Sequence, residues 1–128
     1  MPKMSSIKKK INEAVKGGKK KLLFICNNNL VRSKAAEFIM KKNKKFDVKS
    51  AGLSPWADVP VSNQSIKWAD EIFVMDEEHE FQKSRLMQKF PEALKKEIVI
   101  LEIPAINVRT DDPELMVRIK DKLKPYIK

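Results

Sequence analysis

Leu22 to Cys26 (LLFIC) is an unbroken apolar run of five residues. A run of that length suits a strand buried on both faces better than a helix, which would need a polar stripe and more residues. Comparable segments recur along the chain. Phe46 to Ala51 reads as a second strand ended by Gly52, Glu71 to Met75 (EIFVM) as a third, and Ile98 to Ile103 as a fourth. Between them lie amphipathic stretches. Leu30, Ala35, Ala36, Phe38, Ile39 and Met40 fit a helix with one apolar face, and Val61 to Ala69 suits a short helix capped by Ser62. Asp76 to Phe90 is charged and helical, with Asp76 placed as a cap and Pro91 just past the end. Asp112-Pro113 opens a last helix running to about Leu123, since proline is well placed at the first helical position. Leu53 to Pro60 carries two prolines and Trp56, and is a loop. Four strands alternating with helices predict a three-layer α/β fold. Its centre is a four-stranded parallel sheet with right-handed crossovers and helices on both faces. Such sheets bind ligands at the carboxyl ends of their strands, which is where Cys26 falls.

Composition narrows the class. A chain of 128 residues fits one domain, and 42% hydrophobic with 34% charged residues describes a soluble globular protein. No apolar run approaches the roughly 18 residues of a membrane span. The lysine-rich start is not followed by an apolar segment, so no secretory signal is expected. Cys26 is the only cysteine and His79 the only histidine, which excludes an internal disulfide framework and a zinc cluster and points to a reducing, cytoplasmic setting. The net charge of +10 is uneven: residues 1 to 21 hold eight lysines and one glutamate, leaving +3 for the rest. Residues 1–20 therefore read as a basic arm and 21–128 as the folded body. Ile7, Ile11 and Val15 would let the arm form a short helix ended by Gly17 and Gly18. Such an arm is chiefly a solvated segment, able to bind polyanions weakly through counterion release.

The body's chemistry concentrates after the first strand. Five residues separate Cys26 from Arg32, and Ser33 follows before the amphipathic segment begins. Helix N-terminal N–H groups and a neighbouring guanidinium favour the thiolate form of a cysteine. Backbone N–H groups of Asn27, Asn28, Asn29, Leu30 and Val31, together with the planar fork of Arg32, suit a tetrahedral oxyanion. A thiolate at the base of that cradle is a nucleophile for phosphorus, and the cradle meets the equatorial oxygens where charge spreads in phosphoryl transfer. Ser33 can donate its hydroxyl to the sulfur, and Asn29 can brace the loop through its amide. A proton for the leaving oxygen must come from a carboxylic acid on another strand-end loop.

These residues bring the chain to a known family. It resembles the low-molecular-weight protein tyrosine phosphatases, whose loop follows a strand as C-x-x-N-x-x-R-S. Cys26, Asn29, Arg32 and Ser33 occupy those positions. The likeness extends to Ser50-Ala51-Gly52, to Trp56 four residues beyond that glycine, and to the FVMDEEH stretch at Phe73 to His79, so that it spans about Lys21 to Leu123. The resemblance implies two-step hydrolysis of a phosphorylated protein or small aryl phosphate through a cysteinyl-phosphate, with neither metal nor cofactor. It also implies that Trp56 lines the substrate cleft. Three positions depart from the family pattern. Asn28 stands where glycine is usual, and as an asparagine it tolerates a left-handed backbone. Val31 replaces a second loop cysteine, which argues against disulfide protection and against a thioredoxin-coupled arsenate reductase. Lys34 replaces the usual proline.

The acid is open on sequence. Aligning the loop from Ile103-Pro104 puts Ala105 at the acid position, whereas aligning the Asp-Pro pair selects Asp112 with Asp111 beside it. Asp112 before Pro113 also reads as a plain helix cap. Two further functions compete with the phosphatase: a degenerate phosphate- or phosphoprotein-binding module with little turnover, and a body that serves a basic arm bound to RNA or an acidic protein.

Overall fold

In the computed structural model, which describes residues 19–105 and 107–127, four parallel strands form one sheet in the order β2-β1-β3-β4. They are β1 (Lys20–Cys26), β2 (Phe46–Gly52), β3 (Glu71–Val74) and β4 (Glu97–Ile100). The helices are α1 (Arg32–Lys41), α2 (Asn63–Trp68), α3 (Gln82–Lys89) and α4 (Pro113–Leu123), with short 3-10 turns at Pro91–Lys95 and Lys124–Tyr126. The proposed helix of the basic arm lies outside the described residues. No helix among those described is long and apolar enough to cross a membrane.

Alternation along β1 builds both halves of the core. Leu22, Phe24 and Cys26 face one side, where Ala35, Ala36 and Met40 of α1 and Leu115, Ile119 and Leu123 of α4 cover them. Leu23 and Ile25 face the other, against Ile66 of α2 and Leu86 of α3. Both faces of the central strand are therefore dry, as its unbroken apolar run requires. Cutting one of the leucine, isoleucine or phenylalanine side chains among these to alanine costs about 2–5 kcal/mol. The chain leaves β1 for β2 on one side, then crosses back to β3 on the other. The crevice between β1 and β3 is thus the topological switch point.

Several elements differ from the sequence expectation. β1 begins two residues before the apolar run, because Lys20 and Lys21 pair with Phe46 and Asp47 of β2. β4 ends at Ile100, although Leu101 and Ile103 continue to donate backbone hydrogen bonds to Val74 and Met75. Leu30 and Phe38 are not on the buried face of a helix; Leu30 lies in the loop and both are exposed. The largest correction is the charged segment after β3. Asp76 does cap a turn, accepting the His79 and Glu80 N–H groups at 3.0 and 2.7 Å. That turn stops at Phe81, whose φ of 52° is left-handed, and α3 starts afresh at Gln82. Glu77 replaces the missing cap by accepting the Ser84 N–H and hydroxyl. By contrast α2 carries the expected Ser62 cap in a reciprocal box with Ser65, and α4 runs as read.

Candidate active site

The carboxyl end of β1 delivers Cys26 into the crevice, 3% exposed. Asn29 donates its backbone N–H to the Cys26 Sγ at 3.2 Å, and the Ser33 Oγ lies 3.0 Å from the same sulfur. Asn29 Nδ2 donates to that Ser33 oxygen at 2.8 Å, which leaves the hydroxyl hydrogen of Ser33 for the sulfur. The second Nδ2 hydrogen goes to Ser50 Oγ at 2.9 Å, and Ser50 in turn donates to Glu37 of α1. Asn29 is thus the brace expected of it, fully buried. It accepts one cost, since its Oδ1 is buried without a partner.

The left-handed residue of the loop is also Asn29, with φ 56°, and not Asn28, where it was expected. Three consecutive asparagines tolerate that backbone about equally. The buried serines on either side of Asn29 decide which one adopts it.

The loop is built to receive charge. Its helix, α1, has Val31 at the N-cap position and no side chain there to satisfy the first-turn donors. Among the described residues the N–H groups of Asn28, Leu30 and Val31 also have no protein acceptor. Arg32 closes the loop with its side chain 7% exposed, donating Nη1 to the Ile103 carbonyl at 2.9 Å and both Nη atoms to Glu80. A buried guanidinium and a helix N-terminus are both groups that attract an oxyanion.

A second loop covers the first. Leu53, Ser54 and Asp58 donate backbone N–H groups to the carbonyls of Cys26, Asn27 and Asn28. Trp56 sits on this covering loop, 90% exposed. The Thr110 hydroxyl donates to the Leu30 carbonyl at 2.9 Å, which brings Thr110 against the loop. Asp112 is the N-cap of α4, its Oδ2 accepting Leu115 N–H at 3.0 Å, and Asp111 pairs with Arg109 at 3.1 Å. Ala105 is exposed and brings no acid. Three contributors were missed on sequence: Ser50, Glu37 and Glu80. The Ser-Ala-Gly triplet that ends β2 held the only local hint, for Ser50; the carboxylates carry no signal at their positions.

A four-stranded parallel sheet in the order 2-1-3-4 with helices on both faces makes this a three-layer α/β protein, with a buried cysteine at the end of its first strand. No family model and no curated protein sequence matches the chain. Among solved structures it is similar to the low-molecular-weight protein tyrosine phosphatase of Streptococcus pyogenes, at 18% identity and TM-score 0.67, covering 85% of this chain and 94% of that one. It is also similar to a protein tyrosine phosphatase from Entamoeba histolytica, at 27% identity and TM-score 0.58, over 82% and 88%. A third is the arginine phosphatase of Geobacillus stearothermophilus, at 22% identity and TM-score 0.59, over 83% and 91%. The chain has the fold of the low-molecular-weight protein tyrosine phosphatases.

Proposed function

We propose that this protein is a metal-independent phosphatase that hydrolyses phosphotyrosine or another aryl phosphate monoester through a cysteinyl-phosphate. The observation that carries the reading is the sulfur itself. Cys26 Sγ is held by Ser33 and by the Asn29 N–H beneath a loop whose Asn28, Leu30 and Val31 backbone N–H groups have no acceptor among the described residues. In the first step the thiolate forms a bond to phosphorus while the bond to the aryl oxygen breaks. The loop amides and Arg32 hold the three equatorial oxygens. Asp112 gives its proton to the departing oxygen through Oδ1, the carboxylate oxygen not engaged with Leu115. In the second step water attacks phosphorus, returns a proton to Asp112, and sulfur leaves as thiolate, stabilised by the Ser33 hydroxyl. Trp56 offers an aromatic wall for the substrate ring. The neighbours named as tyrosine phosphatases support this choice of substrate, while the arginine phosphatase shows that the fold also serves phosphorylated nitrogen.

The test is hydrolysis of para-nitrophenyl phosphate by the wild type and by Cys26→Ser. Turnover by the wild type and its loss in the variant are expected; equal rates would sink the proposal. A second reading has its own observation in its favour: both candidate acids, Asp111 and Asp112, already have structural partners. A phosphate-binding module predicts tungstate or phosphate binding by the wild type with negligible turnover, even on this activated ester.

A further inference from the structure

Arg32 is not oriented by the catalytic loop alone. Its Nη1 spends one hydrogen on Glu80 Oε1 at 2.7 Å and the other on the Ile103 carbonyl at 2.9 Å, and its Nη2 donates to Glu80 Oε2 at 2.9 Å. This is the end-on fork of the guanidinium. What remains is the side-on fork, Nε–H with the second Nη2 hydrogen, a parallel pair spaced to meet two oxygens of a phosphate. Among the described residues Nε–H has no acceptor. We infer that Glu80 is a positioning residue for Arg32, gripping its end-on fork so that the side-on fork faces the oxyanion. The inference rests on the phosphatase reading above.

Glu80 is itself fixed from several directions. Asn27, the first loop residue after the nucleophile, donates Nδ2 to Glu80 Oε2, and Gln82 Nε2 approaches the same oxygen at 3.3 Å. Gln82 Oε1 accepts the N–H groups of Met75 and Asp76 at 2.8 and 2.9 Å, which ties the network to the end of β3. Arg85 Nη1 donates to Asn27 Oδ1 at 2.9 Å and to the Glu80 carbonyl at 3.2 Å. The Glu80 N–H is taken by Asp76. The left-handed Phe81 turns the chain directly after Glu80, so the interrupted helix has a consequence for the site. The Arg32 and Glu80 side chains are 7% and 14% exposed. At that burial a bidentate pair fixes geometry as well as charge, unlike a pair on the surface.

A carboxylate near a phosphate cradle could also act as a competing anion, and the sign of its removal separates the two roles. Tungstate binding is measured by titration calorimetry for the wild type, Glu80→Gln, Arg32→Lys and the double variant. Positioning predicts affinity about tenfold weaker in Glu80→Gln, and less than about twofold further loss when the same change is made in Arg32→Lys, where no fork remains to orient. Unchanged or tighter binding in Glu80→Gln overturns the role. Equal losses in both backgrounds overturn it too. Nitrogen-15 NMR of the wild type keeps the idea testable if the variant fails to fold. Separately resolved Nη1 and Nη2 protons are expected for a gripped guanidinium, and one averaged signal refutes the grip. A wild type that binds no tungstate overturns the phosphatase reading along with this one, whereas tungstate binding indifferent to Glu80 overturns positioning alone.

Discussion

Gly52 ends β2 in register with Cys26, and its N–H and carbonyl bond to Val59 and Val61 as the covering loop begins. A Cβ at this position would lie 2.6 Å from the Asn27 carbonyl oxygen, 2.6 Å from Ala57 Cβ and 2.9 Å from the Asn29 nitrogen. Ordinary contact begins near 3.4 Å, so Gly52→Ala must push the catalytic loop and the covering loop apart by roughly 0.8 Å. Two of the three obstacles are backbone atoms of the phosphate loop and cannot rotate away. Overpacking of this kind costs about 1–3 kcal/mol. A shift approaching 1 Å in a reacting geometry costs about 10²-fold in rate. The expected result is therefore a modest fall in the urea midpoint together with a disproportionate loss of kcat/KM on para-nitrophenyl phosphate. Adding Ala57→Gly removes one side-chain contact but neither backbone contact. It should recover part of the stability and little of the activity. Wild-type turnover in Gly52→Ala, or full recovery of turnover in the double variant, would refute the close-packing argument.

Asn29→Ala deletes two buried hydrogen bonds and leaves alanine at φ 56°, for a combined cost of about 2–4 kcal/mol in urea unfolding. Asp112→Ala loses the cap of α4, about 1 kcal/mol. If Asp112 is also the acid, the rate falls far more on phosphotyrosine than on para-nitrophenyl phosphate, whose leaving group needs little protonation. For Glu77, burial is the largest single influence and pushes the carboxyl pKa up, but the Ser84 hydroxyl, the Ser84 and Lys83 N–H groups and the Lys83 charge together outweigh it and hold the group below its ordinary value. A folded-state pKa below the unfolded one stabilises the fold above the unfolded value, and that contribution disappears as pH falls through the folded value. Glu77→Gln should therefore unfold more easily than wild type at neutral pH and match it in strong acid. A gap in urea midpoint that persists in acid would remove the charge from the explanation.

What could be read from the sequence is what depends on neighbours in the chain. The strand, loop and helix at 22–41 are local: an apolar run, a permissive stretch of asparagines, and a helix whose first residues carry the arginine and serine. The cap at Ser62 and the Asp112-Pro113 start are local for the same reason. Asp76 was also legible as a cap, yet the helix it promised stops within a turn. Gln82 turns its side chain back onto the N–H groups of Met75 and Asp76, and Phe81 takes up the left-handed turn this demands. No periodicity in the charged segment distinguishes that outcome from a continuous helix. The choice of Asn29 over Asn28 for the left-handed position was likewise hidden, because it is made by Ser50 across the sheet as much as by Ser33 nearby.

The same division runs through the site. A nucleophile and its oxyanion donors must share one short loop, because their spacing has to be held to a fraction of an ångström, and so their residues sit together in the sequence. The groups that aim them have no such constraint. Glu80 reaches Arg32 across 48 residues and Ser50 reaches Asn29 across 21. Ser50 lies on β2 and Glu80 follows β3, the two strands that flank β1, so the sheet order brings both to the loop after β1. Many residue types at the Glu80 position would leave the fold unchanged, and this is why the sequence carries no pattern for it. On the proposed function, the cradle is written locally, while the orientation of its arginine and the supply of a proton fall to distant segments. Variation at Glu80 and Asp112 should therefore change turnover while leaving β1 intact.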